Sequence, residues 1–136
     1  MFSKHVLIAT LSGGLTLYLL GWVFYDMIAG AYFEENALMI IPERMDLTAI
    51  AIGASIQAFA LANTYRWCCQ NENKTLSGFR MGAWFGVFTG LGSGMIFYGT
   101  LEIHTLEAHL VDAIWMIPYF GIGDLTIAWG YRLLGR

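Results

Sequence analysis

Long runs of apolar residues, separated by short polar stretches, divide the chain into four segments. The runs cover about Val6 to Asp26, Leu47 to Arg66, Met81 to Leu101 and Val111 to Tyr131. Each holds roughly 20 residues, which as a helix crosses a hydrocarbon core of about 30 Å. A bilayer offers the backbone no water, so spanning segments must be helices or strands of a closed barrel. The sequence lacks short alternating strands, and we therefore predict an all-α bundle of four transmembrane helices.

Composition agrees with an integral membrane protein and excludes several other classes. Hydrophobic residues make up 57% of the chain and charged residues only 12%, whereas soluble domains carry about 25% charged residues. The basic clusters of a nucleic-acid binder are missing, so we expect no nucleic-acid partner. The 136 residues leave room for one domain, which we expect to be a single transmembrane unit over 1–136.

Basic residues are distributed unevenly between the connections that join the predicted helices. Six of the seven Lys and Arg residues lie at the two ends of the chain or around the middle connection, and Arg44 is the exception. Eight of the ten acidic residues lie in or beside the other two connections. Because cytoplasmic loops carry the excess of positive charge, this division predicts both termini on the cytoplasmic side of a multi-pass protein.

Five glycines recur every fourth residue through the third predicted helix: Gly78, Gly82, Gly86, Gly90 and Gly94. In water each would weaken a helix by up to about 1 kcal/mol relative to Ala. In a membrane such a series, a glycine zipper, lets another helix backbone approach closely. The series therefore predicts a helix-packing face, either inside the bundle against the fourth or first helix, or against a partner protein or a second copy.

Asp124 is the one acidic residue that lies well inside a predicted span. Counting along the helices places three polar residues at a similar depth, and we consider them candidate buried partners: Gln57, Ser12 and Thr89. Two interpretations stay open. Asp124 is either a protonated carboxyl that ties helices together or a group that binds a proton or cation in a transport path.

The outer connection between the third and fourth helices carries imidazoles and carboxylates, side chains that bind Zn, Cu or Fe. His104 and Glu107 share one face of a helix there, as do His109 and Asp112. The spacing matches no established metal motif, so we interpret the segment as a solvated polar turn and expect no metal. No nucleophile–base pair, phosphate-binding loop or cofactor motif is present either, and we predict neither catalysis nor a cofactor.

The first helix carries Gly13-Gly14 and the run Leu20-Gly21-Trp22-Val23-Phe24-Tyr25, followed by an acidic exit at Phe33-Glu34-Glu35-Asn36. In these residues the chain resembles a group of small bacterial membrane proteins of unknown function, which share a first helix ending in Gly-Trp-x-x-Tyr and a later Gly-rich helix. The resemblance covers about the first 36 residues and, loosely, the last two helices. It implies a four-helix protein of the bacterial inner membrane and brings no activity.

Together these features predict a non-catalytic membrane protein that packs against other membrane subunits, as an accessory or assembly component of a complex. Its expected surroundings are the lipid bilayer and either partner subunits or further copies of the chain. The alternative is a small oligomeric transporter or channel for a proton, cation or small solute that uses Asp124. A third interpretation is a metal-linked or quinone-linked protein that works at the outer face.

Overall fold

A computed structural model describes residues 3–39, 46–69, 75–101 and 103–133 of the chain. Within these ranges the regular elements are helices, and the only strand-like pairing is an isolated bridge between Ala37 and His104. The helices are α1 (Lys4–Trp22), α2 (Gly30–Glu35), α3 (Leu47–Cys68), α4 (Thr75–Gly86), α5 (Gly94–Thr100) and α6 (Leu106–Leu133). Two π-helical segments, Val23–Ile28 and Val87–Ser93, extend α1 and join α4 to α5. The predicted all-α class is confirmed.

Within the described ranges, three helices are long and apolar enough to cross a membrane: Lys4–Ile28, Leu47–Cys68 and Leu106–Leu133. At most 39% of the apolar window of any of them is buried inside the protein, so most of this surface faces outward, as lipid-exposed helices require. The helical stretch 75–100, which holds the predicted third span, is not among them. Its many glycines add little hydropathy. The structure thus supports a membrane protein, with three of the four predicted spans.

Local sequence explains where the first two long helices begin. The Ser3 hydroxyl accepts a hydrogen bond from the Val6 N–H at 3.3 Å, and so caps α1. The Asp46 carboxylate accepts bonds of 3.0 Å from the N–H groups of Thr48 and Ala49 at the start of α3. Such side chains satisfy N–H groups that have no partner within the first turn of a helix.

Helix α6 lies at the centre of the bundle. It packs against α4 on one side and against α1 and α3 on the other, whereas α4 barely touches α3. Its glycines serve both contacts, because Gly121 faces the Phe79 ring of α4 while Gly123 faces Leu17 of α1. The core that surrounds it includes Leu17 and Ile127, neither of which is exposed to solvent. Helix α6 therefore buries residues on more than one of its faces, and the rest of its surface is partly or fully exposed.

Four of the five regularly spaced glycines bring α4 and its π-helical extension against α6. A Cβ atom added at Gly78, Gly82, Gly86 or Gly90 would lie less than 3.0 Å from backbone atoms of α6. The α6 residues that they meet are, in the same order, Asp124, Phe120, Met116 and Ala113. The falling order shows antiparallel packing of the two backbones in direct contact. This close face is therefore internal to the chain.

Gly94 does not share this face. The nearest atom to a Cβ added there is the Thr89 carbonyl oxygen at 3.8 Å, which belongs to its own helical stretch. The π-helical segment Val87–Ser93 intervenes between Gly90 and Gly94. Because a π-helical turn contains more residues than an α-helical turn, it rotates the face that the following glycine presents.

Candidate functional site

Asp124 lies in α6 where Gly78 and Gly82 of α4 press against it, and no part of it is exposed. Both of its carboxylate oxygens are buried and lack a hydrogen-bond partner among the described residues. The glycines place backbone rather than side chains over Asp124, which explains how the acid is enclosed without a polar neighbour. A carboxylate at such a place is costly unless it is paired or neutralised.

The polar residues expected beside Asp124 are engaged elsewhere. The Ser12 hydroxyl donates to the carbonyl oxygens of Ala9 at 3.0 Å and Thr126 at 3.1 Å. The Thr89 hydroxyl donates to the Phe85 carbonyl, one turn earlier in its own helical stretch, at 2.8 Å. Neither bonds to the Asp124 carboxyl, so the expected pairings are absent.

Gln57 requires a correction, because it is exposed rather than buried. It lies on α3 and lines an open cavity between α3 and α1. Matching depths along two helices fixes a height in the membrane but not the direction in which a side chain points, and this is why the expectation failed.

A cluster of aromatic and polar side chains lies at the end of the bundle where α1 ends and α6 begins. The Tyr25 hydroxyl, at the π-helical end of α1, donates a hydrogen bond to the Asp112 carboxylate of α6. Beside them the Phe24 and Trp115 rings stack with centroids 4.1 Å apart and planes 9° apart. The edge of the Phe33 ring, from α2, completes the contact with Phe24. Three separate helices therefore meet at this end.

His104 and His109 lie next to this cluster. The His104 ring is edge-on to His109, with centroids 6.0 Å apart, and its other side meets Phe33 at 5.6 Å. The Nε2 atoms of both histidines are buried without a hydrogen-bond partner among the described residues. Burial, and secondarily the neighbouring His109, lowers the pKa of His104, and the Asp112 charge opposes this only in part. His104 is thus held neutral near pH 7.

These side chains do not assemble a metal centre in the part of the chain that the structure describes, where no three His, Cys, Asp or Glu residues are grouped to hold an ion. The structure brings His104, His109 and Asp112 to one end of the bundle, but Glu107 is exposed. The chemistry available there is hydrogen bonding and proton uptake by imidazole.

A cavity of about 300 Å³ opens between α1 and α3 near the same end. Its walls are mostly apolar, with polar groups from Tyr18, Tyr25, Asp26, Gln57 and Tyr119. The Tyr25 side chain therefore contributes both to the cavity and to the hydrogen bond with Asp112. The hydropathy pattern does not reveal the cavity. Gly21 and Gly53, which line it, have the same hydropathy as every other glycine in the chain.

Three glycines take no part in packing within the described residues. A Cβ atom added at Gly53, Gly92 or Gly99 would meet nothing within 4 Å. Gly53 borders the cavity, whereas Gly92 and Gly99 are exposed in the second half of the stretch 75–100. Their backbones are open to whatever surrounds the protein.

Comparison of the chain with protein families, curated proteins and solved structures finds no match. The resemblance of its first helix to small bacterial membrane proteins therefore stays an expectation, and the function has to be inferred from the residues themselves.

Proposed function

We propose that the protein is a non-catalytic accessory or assembly component that binds other membrane subunits. The observation that carries this proposal is the pair of glycines Gly92 and Gly99, which internal packing leaves unused. Each lowers the intrinsic stability of its helix relative to Ala, and lipid contact offers nothing in return. Close approach of a partner helix would offset that cost, since small residues let two backbones meet.

The surroundings of these glycines suit such a contact. The helix α5 buries no residue, and its large apolar side chains point outward. Met95, Ile96 and Phe97 are 44%, 66% and 53% exposed. Glycine between large apolar side chains forms a groove that a second helix can fill.

The test is co-purification of a tagged chain from the membranes of its own host in mild detergent. Gly92→Leu and Gly99→Leu place a side chain in open space, so we expect both variants to fold. Partner recovery should fall by roughly tenfold or more, which corresponds to about 1.4 kcal/mol of binding free energy.

Leu76→Ala, which shortens an exposed side chain near the start of α4, is the matched surface control and should keep every partner. Recovery of the same proteins, in the same amounts, with wild type and both leucine variants would refute the proposal.

The location follows from the proposal and from the charge pattern. We propose four spans in the bacterial inner membrane, with the glycine-rich stretch 75–100 as the third span and both termini in the cytoplasm. The antiparallel contact of that stretch with α6 supports a third span, because α6 is itself long and apolar enough to cross. Arg44, Lys74 and Arg136, on which the charge argument partly rests, lie outside the described residues.

A transporter that uses Asp124 is the second candidate, and the unpartnered carboxylate is the observation that favours it. A cation or proton carrier needs Asp124 to change its charge state, which Asn cannot do. If wild-type proteoliposomes show a cation-coupled flux that Asp124→Asn abolishes while the fold survives, the accessory function is wrong. We expect no flux in wild type and normal assembly of the Asn variant.

A further inference from the structure

We propose that the cavity between α1 and α3 holds one acyl chain of a phospholipid whose headgroup carries an ammonium, and that Asp26 binds this ammonium. The proposal goes beyond the accessory function and does not depend on it. It rests on the shape of the cavity, on the chemistry of its walls and on the charge at its outer end.

The two helices are in contact at one end and separate towards the other. At Gly14 an added Cβ would lie 3.6 Å from the Ala58 Cβ and 3.7 Å from the Ser55 Cα, so the backbones nearly touch. From this contact the residues that line the cavity run towards the start of α3, as far as Leu47, and towards the end of α1, as far as Asp26. The gap therefore widens towards the end of the bundle where α1 ends and α3 begins.

The length of the gap suits an extended chain. Its α3 wall runs from Leu47 to Gln57, a rise of about 15 Å along a helix. Leu17 and Gly21 of α1 face this wall. The Tyr119 ring of α6 lies behind Gly21, with its Cε2 atom 3.7 Å from a Cβ added there. A volume of about 300 Å³ with these apolar walls accommodates methylene groups and gives them few polar partners. An acyl chain reaches such a space directly from the surrounding bilayer.

Charge selects the headgroup. Asp26 is exposed at the outer end of the cavity, and no ion pair joins it to another described residue. Among the described residues no Lys or Arg lines the cavity, so no side chain there would bind the phosphate of a lipid whose headgroup carries no positive charge of its own. The Trp22 and Tyr25 rings border the same end, and aromatic faces attract ammonium groups. A carboxylate beside aromatic rings therefore favours an ethanolamine or choline headgroup over glycerol.

The test uses purified full-length protein reconstituted into vesicles of equal parts phosphatidylethanolamine and phosphatidylglycerol. After re-extraction in detergent, native mass spectrometry counts the retained lipids. We expect wild type to retain one phosphatidylethanolamine in clear excess over phosphatidylglycerol. No partner protein is present, so failure here leaves the accessory function standing, and failure of co-purification leaves the lipid site standing.

Two variants probe the chain and the headgroup separately. Gly53→Leu fills the cavity without a steric clash and should lower retention at least about tenfold, whereas Ala60→Leu, at an exposed position of α3 that does not line the cavity, should not. Asp26→Asn, an exposed and nearly isosteric change, should keep a bound lipid but lose the preference for phosphatidylethanolamine. Circular dichroism verifies the helical content of each variant.

Several results would overturn the proposal. They are retention of no lipid by wild type, preference for phosphatidylglycerol, or equal retention by the Gly53→Leu and Ala60→Leu variants. A co-purified quinone that blocks lipid binding, or an unchanged headgroup preference in Asp26→Asn, would do the same.

Discussion

The Tyr25 hydroxyl donates a hydrogen bond to the Asp112 carboxylate, and this bond joins the end of α1 to α6 across 87 positions of sequence. It is set at the π-helical turn Val23–Ile28, which is part of the wall of the cavity. Single π-helical turns occur frequently at functional sites. The bond therefore fixes the π-helical end of α1, which belongs both to the aromatic cluster around Phe24 and to the wall of the cavity.

Removing the Tyr25 hydroxyl should loosen this end of the bundle. Tyr25→Phe leaves the partly buried Asp112 carboxylate without its donor, which costs about 1–3 kcal/mol. We expect a lower thermal midpoint in detergent, followed by circular dichroism. The control is Tyr98→Phe, which removes a hydroxyl from an exposed ring that also borders His109. Equal midpoints for the two variants would contradict a stabilising role for the bond.

The packed glycines should tolerate no side chain. In Gly82→Ala the added Cβ would clash with the Phe120 carbonyl of α6, and backbone cannot move aside as a side chain can. We expect destabilisation of about 1–3 kcal/mol, the usual cost of overpacking. Gly92→Ala, with open space around the new methyl group, should be neutral or slightly stabilising. Thermal unfolding of both variants measures the difference, and a stable Gly82→Ala protein would contradict the close contact.

Acid should destabilise the outer end through His104. Burial lowers the pKa of this imidazole in the folded protein, so the unfolded segment takes up a proton more readily. Its contribution to stability is therefore complete above a pH of about 6.5 and declines as the pH falls below that value. The thermal midpoint of wild type, compared with that of a variant that lacks this imidazole, should therefore decrease between pH 7.5 and pH 5.

His104→Gln removes the titrating group while keeping a polar side chain of similar reach. We expect the midpoint of wild type to fall relative to that of this variant over the same range. A pH profile that is unchanged by the substitution would show that protonation elsewhere governs the acid response.

Reporter fusions decide the proposed orientation. A reporter that is active only in the cytoplasm, fused after Arg136, should be active, and one that requires export should be silent. Inserted after Glu35, in the acidic first connection, the two reporters should behave in the opposite way. An export-dependent signal after Arg136 would reverse the topology inferred from the basic residues.

Sequence analysis located the helices well because apolar runs of bilayer length are unambiguous. The second predicted span, Leu47 to Arg66, differs from α3 by two residues at its end. The π-helical turns and the short helix α2 were not predicted, since they follow from local backbone adjustment and from packing on α6 rather than from hydropathy. The bridge between Ala37 and His104 is equally invisible in sequence, because it joins two connections that are far apart in the chain.

The candidate sites were less predictable than the fold. Residue spacing identified Asp124 as the buried acid, yet it assigned this acid neighbours that the structure places elsewhere. His104 and His109 stood out by residue type, but Tyr25, Trp115 and Phe33, which belong to the cluster beside them, carried no signal as a group. Such clusters depend on how helices rotate and cross, and hydrophobic periodicity constrains this only weakly in a membrane bundle.

The central position of α6 has a consequence for synthesis of the chain. Helices α1 and α3 pack against each other and can associate as soon as both have entered the membrane. Among the described helices, α4 has almost no contact with that pair, and its glycines pack against α6, which is synthesised after it. In the proposed four-span arrangement, the glycine face of α4 therefore lacks its partner helix until α6 has been inserted. Helix α6 is therefore the element that joins α4 to α1 and α3, and assembly of the bundle depends on its synthesis.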